Sequence, residues 1–252
     1  MERVAAVILL AGCCVFAQVP GGRGGAPASS PKDAAPIDLT GYWISVVTED
    51  WRYRMVTPAP GDYQGVPMTP AARKLADAWD PARDEAAGEQ CKSYGAPALL
   101  RVPEMLHITW QDDKTLRMDT DAGKQTRLFH FGDWKAPAGP ATLQGDSAAE
   151  WEITRAGRGD PNAPPQAKGS LKVTTTHLKP GYLRKNGVPY SENAALTEFF
   201  DVVEEHPGDF WMIVTIVVND PVYLREPFII TSQFRKQASD AGWKPSECSA
   251  RW

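Results

Sequence analysis

The sequence has few long apolar runs and no excess of charge of one sign. After residue 17, no apolar stretch approaches the ~20 residues that a membrane-spanning helix needs. The 27 Lys and Arg residues against 31 Asp and Glu residues leave a formal net charge of −4 at pH 7. This mild acidity provides no field for holding nucleic acid or an anionic membrane surface, so neither is an expected partner.

Sequence motifs that define common enzyme classes are also lacking. The 252 residues contain no serine nucleophile elbow, phosphate-binding glycine loop, dinucleotide fingerprint or His-Glu-x-x-His helix. They contain no fixed-period repeat either, which argues against a propeller or a solenoid. The sequence therefore predicts no cofactor. It leaves open whether a reaction is catalysed, because active sites on barrels often carry no motif.

The composition indicates a folded domain of short strands. Hydrophobic residues make up 42% of the chain, which is enough to bury a core and excludes a wholly disordered protein. The 21 glycines and 22 prolines suit a chain that many turns divide into strands. The length fits one domain of ordinary size.

The N-terminus has the pattern of a secretory signal peptide. A short apolar run, Val4–Leu10, precedes small and aliphatic residues ending at Ala17, where a signal peptidase would cut. Residues 1–17 are therefore the predicted signal peptide. Leu10–Cys13 also resembles a bacterial lipobox, in which Cys13 would be acylated. Both routes predict an exported protein, periplasmic or secreted, whose contact with a membrane would be through an N-terminal lipid anchor.

The remainder of the chain divides into a tether and one domain. Residues 18–36 are rich in Gly, Pro and Ala and predict a flexible tether, so residues 37–252 form the expected domain. If the signal peptide is removed, Cys91 and Cys248 are the remaining cysteines. Two thiols in an oxidising compartment predict a disulfide.

Alternating apolar and polar residues predict a mainly β fold. The first predicted strand is long and runs from residue 39 to about 55. Thr69-Pro70 and Asp80-Pro81 are helix-start signals, so we expect one or two short helices after that strand, over about 69–78 and 82–89. Successive strands with short connections favour an up-and-down antiparallel meander that closes into a barrel of about 8–10 strands. The later predicted strands are 107–111, 116–120, 125–131, 149–155, 170–178, 196–204, 210–218 and 228–235.

Gly41-Tyr42-Trp43, at the start of this meander, resembles the Gly-x-Trp opening of lipocalins and their calycin relatives. The resemblance implies that Trp43 plugs one end of the barrel and that an arginine near the last strand, here Arg235, packs over it. Residues 180–191 and 220–224 are similar to exported proteins of soil bacteria such as Acidobacteria. That likeness implies export and no particular activity.

The lipocalin-like barrel suggests a small, largely apolar or amphipathic ligand in an aromatic-lined cavity. Four aromatic side chains are the predicted walls, and two residues of the loop 179–193 are the predicted entrance. These are Trp43, Trp51, Tyr53 and Trp110 for the walls, with Tyr182 and Arg184 for the entrance.

Two observations keep a periplasmic hydrolase or lyase as an alternative. Glu49 would be desolvated if it pointed inward between tryptophans, and its carboxyl could then act as a general acid or base. His107, His130 and His177 fall in predicted strands and could converge on a metal, although their spacing matches no ligand motif and no metal is the primary expectation. A third hypothesis is a cell-envelope interaction module. The oligomeric state and the identity of the ligand remain open.

Overall fold

Nine strands close into a barrel, and a separate two-stranded hairpin lies beside it. The computed structural model describes residues 29–155 and 167–251. The predicted signal peptide, Cys13 and the first part of the tether lie outside these residues. The strands are β1 (Gly41–Val46), β2 (Met105–Asp112), β3 (Thr115–Thr120), β4 (Thr126–Phe131), β5 (Asp146–Arg155), β6 (Ala167–Thr176), β7 (Gly181–Arg184), β8 (Val188–Tyr190), β9 (Ala195–His206), β10 (Asp209–Asn219) and β11 (Phe228–Gln237).

The barrel order is β1-β11-β10-β9-β6-β5-β4-β3-β2, and β2 pairs with β1 to close it. This confirms the predicted β-barrel and its strand number. The pairs are antiparallel except for β4 and β5, which run parallel, so the barrel is mixed and not a simple meander. Residues 132–145 carry the chain back along the barrel before β5 begins.

Side chains of the strands alternate between the barrel interior and the outside, as the period of two requires. On β9, Leu196 and Phe200 are fully buried, and on β10 Val214 is fully buried as well. Phe129 of β4 packs on Phe200 with ring centroids 5.7 Å apart. Each such side chain contributes about 1.5–3 kcal/mol on burial. Because these residues have 0% exposure, no water-sized space adjoins them and the interior at this level is filled.

The first strand is shorter than the sequence predicts. β1 ends at Val46, and residues 51–54 form a helical turn, α1 (Trp51–Arg54). Asp50 takes a left-handed conformation, with φ of 52°, immediately before this turn. The alternation over 47–55 is therefore not that of a strand, since the chain has left the sheet. A contact with Arg101, 3.2 Å from the Asp50 carboxylate, holds the turn in place.

Helices that follow β1 cover one end of the barrel. They are α1, α2 (Pro70–Asp77), α3 (Pro81–Ala86), a 3-10 helix (Gln90–Tyr94) and α4 (Ala96–Leu99). The two predicted helices are confirmed as α2 and α3, and the Thr69 and Asp80 side chains cap them as expected. No helix in residues 29–155 or 167–251 is long and apolar enough to cross a membrane.

Residues 179–193, predicted to be an exposed loop, instead contain the hairpin β7–β8. The hairpin packs against α2, α4 and the 3-10 helix. Lys185 and Asn186 at its turn are buried, and the Asn186 amide donates to the backbone oxygens of Ala59 and Asp62 at 3.3 and 3.0 Å. We call the helices and this hairpin together the cap.

The predicted disulfide is present. Cys91 of the 3-10 helix is bonded to Cys248, with Cα atoms 5.1 Å apart. It ties the cap to the C-terminal segment, whose Ser246 amide also donates to the Asp121 carbonyl at 2.9 Å. In the chain-entropy account, closing a loop of 157 residues stabilises the fold by about 5 kcal/mol.

The described part of the tether contacts the barrel. The Trp151 indole donates to the Pro31 carbonyl at 2.7 Å, and the Lys32 amide donates to the Asp113 carbonyl at 3.3 Å. Contacts with the barrel therefore begin before Ile37, where the sequence alone places the start of the domain.

Candidate functional site

Buried charged groups gather where the barrel meets the cap. Inside the barrel, Arg127 of β4 and Glu198 of β9 form a bidentate ion pair with N–O distances of 2.8 and 2.5 Å, and neither side chain has any exposed surface. Arg127 also donates to the Thr175 hydroxyl at 3.2 Å, and Thr175 shares a hydrogen bond with Ser147 at 2.8 Å.

Three further arginines lie in the cap, and each is almost fully buried. Arg54 donates to the Arg101 carbonyl at 2.9 Å and to the Ser45 hydroxyl at 3.1 Å. Arg184 donates to the Gln64 carbonyl at 2.8 Å. Burial, with repulsion from Arg101, lowers the pKa of Arg54 and that of Arg184 to about 10. The site thus concentrates positive charge in a poorly solvated place, which favours a negatively charged ligand.

A cleft of about 510 Å³ opens over Arg184. The Arg184 guanidinium lies 4.1 Å from the Tyr53 ring centroid and 5.9 Å from that of Phe228. The start of β11 supplies an apolar wall, ending in Ile229, which is 61% exposed. The cleft is lined by Glu49, Asp50, Arg52, Tyr53, Gln64, Gly65, Arg184 and 228–230. Its volume is within the range of pockets that hold small organic ligands.

The other charged side chains of the cleft already have partners. Glu49 accepts hydrogen bonds from Thr231 and Gln233 of β11, and Arg52 forms an ion pair with Asp62. Asp50 pairs with Arg101. Arg184 alone among the arginines of this cleft has no ion pair with a carboxylate of the described residues. Its guanidinium is therefore the natural contact for an anionic group.

The carboxyl of Glu104 is also buried, in the neighbourhood of Arg54. Neither of its oxygens accepts a hydrogen bond from another described residue. Burial and the nearby Asp121 carboxylate raise the pKa of Glu104 well above its usual range. Burial also lowers the pKa of Lys185 to about 8, and its ammonium lies 2.7 Å from the Tyr94 hydroxyl. Groups with pKa values perturbed in this way are candidates for proton transfer.

Of the six predicted ligand-binding residues, the structure brings Tyr53 and Arg184 together in the cleft. Tyr182 comes from the same hairpin as Arg184 but faces a different part of the cap, where its hydroxyl bonds to Asp84 at 3.2 Å. Burial and the Asp84 carboxylate raise the pKa of Tyr182 to about 12.

The three tryptophans predicted as cavity walls lie apart from one another. Trp43 is fully buried in the barrel core and donates to the Leu39 carbonyl at 2.8 Å, as a plug would. Trp51 is 65% exposed on α1, beside the cleft-lining residues of the same turn. Trp110 packs between Phe131 and Trp151. They therefore do not enclose one cavity.

The residues of the enzyme hypothesis are also separated. Glu49 lies at the cleft on the outside of the barrel, not inward between tryptophans. His107 stacks on Tyr42, His130 stacks on Trp134, and His177 bonds to Asp146 at 2.7 Å. Within residues 29–155 and 167–251, no group of three or more potential ligand side chains could hold a metal ion. The three histidines therefore do not form the metal site considered from the sequence.

The cation over Trp43 is Lys236 and not Arg235. Lys236 is the register partner of Trp43, and its ammonium lies 5.4 Å from the Trp43 ring centroid. Arg235, one position earlier, points to the other face, where it pairs with Asp209 at 2.8 Å. The cation over Trp43 is therefore one residue later than predicted, because adjacent strand residues face opposite sides.

The sequence reasoning missed most of the buried charges. A signal existed for Arg127 and Glu198, since Arg127 alternates in step with Phe129 and Phe131, and Glu198 with Leu196 and Phe200. Charged residues at inward positions of strands indicate either a buried pair or a site. Arg54, Arg101 and Glu104 lie outside the barrel strands, where no periodicity could have marked them.

Comparison with known protein families, with curated proteins and with solved structures finds no match.

Proposed function

We propose that this protein binds a small amphipathic anion, with a carboxylate-like head on Arg184 and an apolar body along the start of β11. One observation carries the proposal: a buried arginine without a carboxylate partner among the described residues forms the floor of an open cleft. A charge-assisted bidentate contact to a planar carboxylate is what a guanidinium makes best. Phe228 and Ile229 supply apolar contacts for the rest of the molecule.

The cleft is a better site for this ligand than the barrel interior. The interior is filled by side chains at the level of Phe129, Phe200 and Val214, which have no exposed surface. A ligand there would have to displace packed core groups at a cost of several kcal/mol. The cleft holds about 510 Å³ of space already open. The proposed site thus keeps the predicted binding function and moves it to the cap end of the barrel.

Export is part of the same proposal. The N-terminal pattern of residues 1–17 supports it, and the Cys91–Cys248 disulfide fits an oxidising compartment. The intact mass of the mature protein from a bacterial host separates the two routes. A chain beginning at Gln18 indicates ordinary cleavage, whereas acylated Cys13 indicates a lipid anchor. A full-length chain retained in the cytoplasm would refute export.

Three probes of equal chain length test the binding proposal by calorimetry: decanoate, decanol and decyltrimethylammonium. We expect saturable binding of decanoate at 1:1 stoichiometry and at least about tenfold weaker binding of decanol, since a charge-assisted bond contributes about 1.5–3 kcal/mol. The cation should not bind. Phenylacetate and phenylethanol repeat the comparison for a compact aromatic body. Equal affinity for acid and alcohol in both pairs, or no binding of either acid, would refute the proposal.

A second candidate function is acid–base catalysis by Glu104. The observation that favours it is a fully buried carboxyl without a hydrogen-bond donor among the described residues, in an environment that also holds Lys185 and Arg54. The reaction would be a hydrolysis or an elimination on an anionic substrate, with Glu104 transferring the proton. Screening ester and lyase substrates with the wild type and with Glu104→Gln tests it. An activity that Glu104→Gln retains in full would exclude this role.

A further inference from the structure

A second, much smaller cavity lies beside the cleft, within the cap. Its volume is about 20 Å³, against about 510 Å³ for the cleft, and Tyr53 and Arg184 border both spaces. The small cavity is also bordered by Arg54, Arg101, Lys185 and Ser93. This space admits at least one water-sized particle.

Buried N–H groups around this cavity lack acceptors. Arg54 is 1% exposed, and its Nη1 has no acceptor among the described residues, although its Nε and Nη2 both have one. The Nε of Arg184, which is 4% exposed, also lacks an acceptor within the described chain. Unpaired donors of charged groups are rare in folded proteins and point to an occupant. That occupant must accept hydrogen bonds.

The charges around the cavity favour an anion over a water molecule. Arg54, Arg101 and Arg184 all border it, and Arg101 lowers the pKa of the other two by repulsion, after the larger effect of their burial. Asp50 is bonded to Arg101. The other acids near these arginines are Glu49, which accepts hydrogen bonds from Thr231 and Gln233, Asp62, which pairs with Arg52, and Glu104. Burial raises the pKa of Glu104, which favours its neutral form. A bound anion would balance the surplus positive charge.

We propose that the small cavity is a binding site for one monatomic anion of the size of chloride, held by Arg54, Arg101 and Arg184. The small volume of the cavity favours a monatomic anion over the larger head groups that the open cleft can take. The anion would be a structural ligand whose negative charge reduces the repulsion among three buried arginines. This site is separate from the proposed function, because an organic ligand in the cleft is not needed for it.

The test compares thermal unfolding in sodium chloride, sodium bromide and sodium gluconate at equal ionic strength, in chloride-free protein. At ten times the dissociation constant of chloride, we expect a midpoint about 3–6 °C higher in chloride than in gluconate. Bromide should act like chloride, and the effect should saturate. Arg54→Gln should abolish the difference between the salts. Arg235→Gln, which removes an exposed arginine paired with Asp209, should keep it.

Arg54→Gln could fail to fold, so a second measurement uses the wild type alone. Crystals grown in sodium bromide should show an anomalous peak within hydrogen-bonding distance of the Arg54 and Arg184 guanidinium groups. An empty or water-filled cavity in bromide, or equal unfolding midpoints in chloride and gluconate, would overturn the proposal. Decanoate binding that persists after chloride is removed would leave the proposed function intact, so the two ideas fail separately.

Discussion

The buried ion pair between Arg127 and Glu198 provides a quantitative test of how this barrel is stabilised. Its two N–O contacts of 2.8 and 2.5 Å lie inside the barrel, and both side chains are 0% exposed. Replacing Glu198 by Gln keeps the shape but leaves the Arg127 charge without its counter-ion. The new amide oxygen at position 198 and the Thr175 hydroxyl, 3.2 Å away, would then be neutral acceptors for Arg127.

The loss of stability expected for Glu198→Gln is set by the desolvation of the remaining charge. Removing one partner of a buried pair costs about 3–5 kcal/mol, because the other charge stays buried and unpaired. For a domain of this size that lowers the unfolding midpoint by about 6–20 °C. Replacing both partners by apolar residues of similar volume, as in Arg127→Met with Glu198→Leu, removes the unpaired charge as well. We expect the double variant to lie within about 1 kcal/mol of the wild type or to be more stable.

Equilibrium unfolding in urea, with the disulfide kept oxidised, measures the wild type, Glu198→Gln, the single variants Arg127→Met and Glu198→Leu, and the double variant. Lys172→Gln is the matched control, since Lys172 forms an exposed ion pair with Glu150 and its loss should change stability little. If Glu198→Gln costs no more than Lys172→Gln, the pair is not buried as described. A double variant whose loss equals the sum of the two single losses would refute the argument from an unpaired charge.

Three further predictions follow from particular contacts. Replacing Cys91 and Cys248 by Ser should lower the free energy of unfolding by about 2–5 kcal/mol in a denaturation experiment, and an unchanged value would contradict the role of the 157-residue loop. Gly187→Ala should cost about 2–3 kcal/mol more stability than Gly208→Ala. Both glycines have φ near 80°, but a Cβ at position 187 would lie 2.2 Å from Trp79, whereas one at position 208 would meet nothing. Equal losses would exclude the clash. Burial lowers the pKa of Lys185 to about 8. Between pH 8 and 9.5 the unfolded chain therefore binds more protons than the folded one. Over this range the free energy of unfolding should rise by about 1–2 kcal/mol relative to that of Lys185→Met. A flat difference between the wild type and Lys185→Met over that range would contradict a buried, poorly charged lysine.

Much of the fold was predictable because the barrel strands have a regular pattern. On β10, Met212, Val214 and Ile216 alternate with partly exposed residues, and this period of two places them inward. Thr69-Pro70 and Asp80-Pro81 identified α2 and α3 through local capping chemistry. The disulfide was predictable from the number of cysteines that remain after signal cleavage.

The cap was harder to predict because tertiary contacts decide its conformation. Residues 47–55 alternate like a strand, yet the turn at Asp50 and its bond to Arg101 take them out of the sheet. The hairpin at 181–190 looked like a surface loop because charged and turn residues dominate it. Its Arg184 is buried between aromatic rings contributed by distant segments, which no local pattern records. The parallel pairing of β4 with β5 likewise depends on the path of the connection over residues 132–145 and not on the sequence of either strand.

The proposed anionic ligand would lie in the cleft over Arg184, against the apolar wall at Ile229. The most direct test is the calorimetric affinity for decanoate of four proteins: wild type, Arg184→Gln, Ile229→Glu and Ile153→Glu. Ile229 and Ile153 are both exposed strand residues, at 61% and 54%, but Ile229 alone of the two lines the cleft. We predict at least about tenfold weaker binding for Arg184→Gln and Ile229→Glu, and wild-type affinity for Ile153→Glu. Equal affinity in all four proteins, or an equal loss in the two isoleucine variants, would contradict the claim.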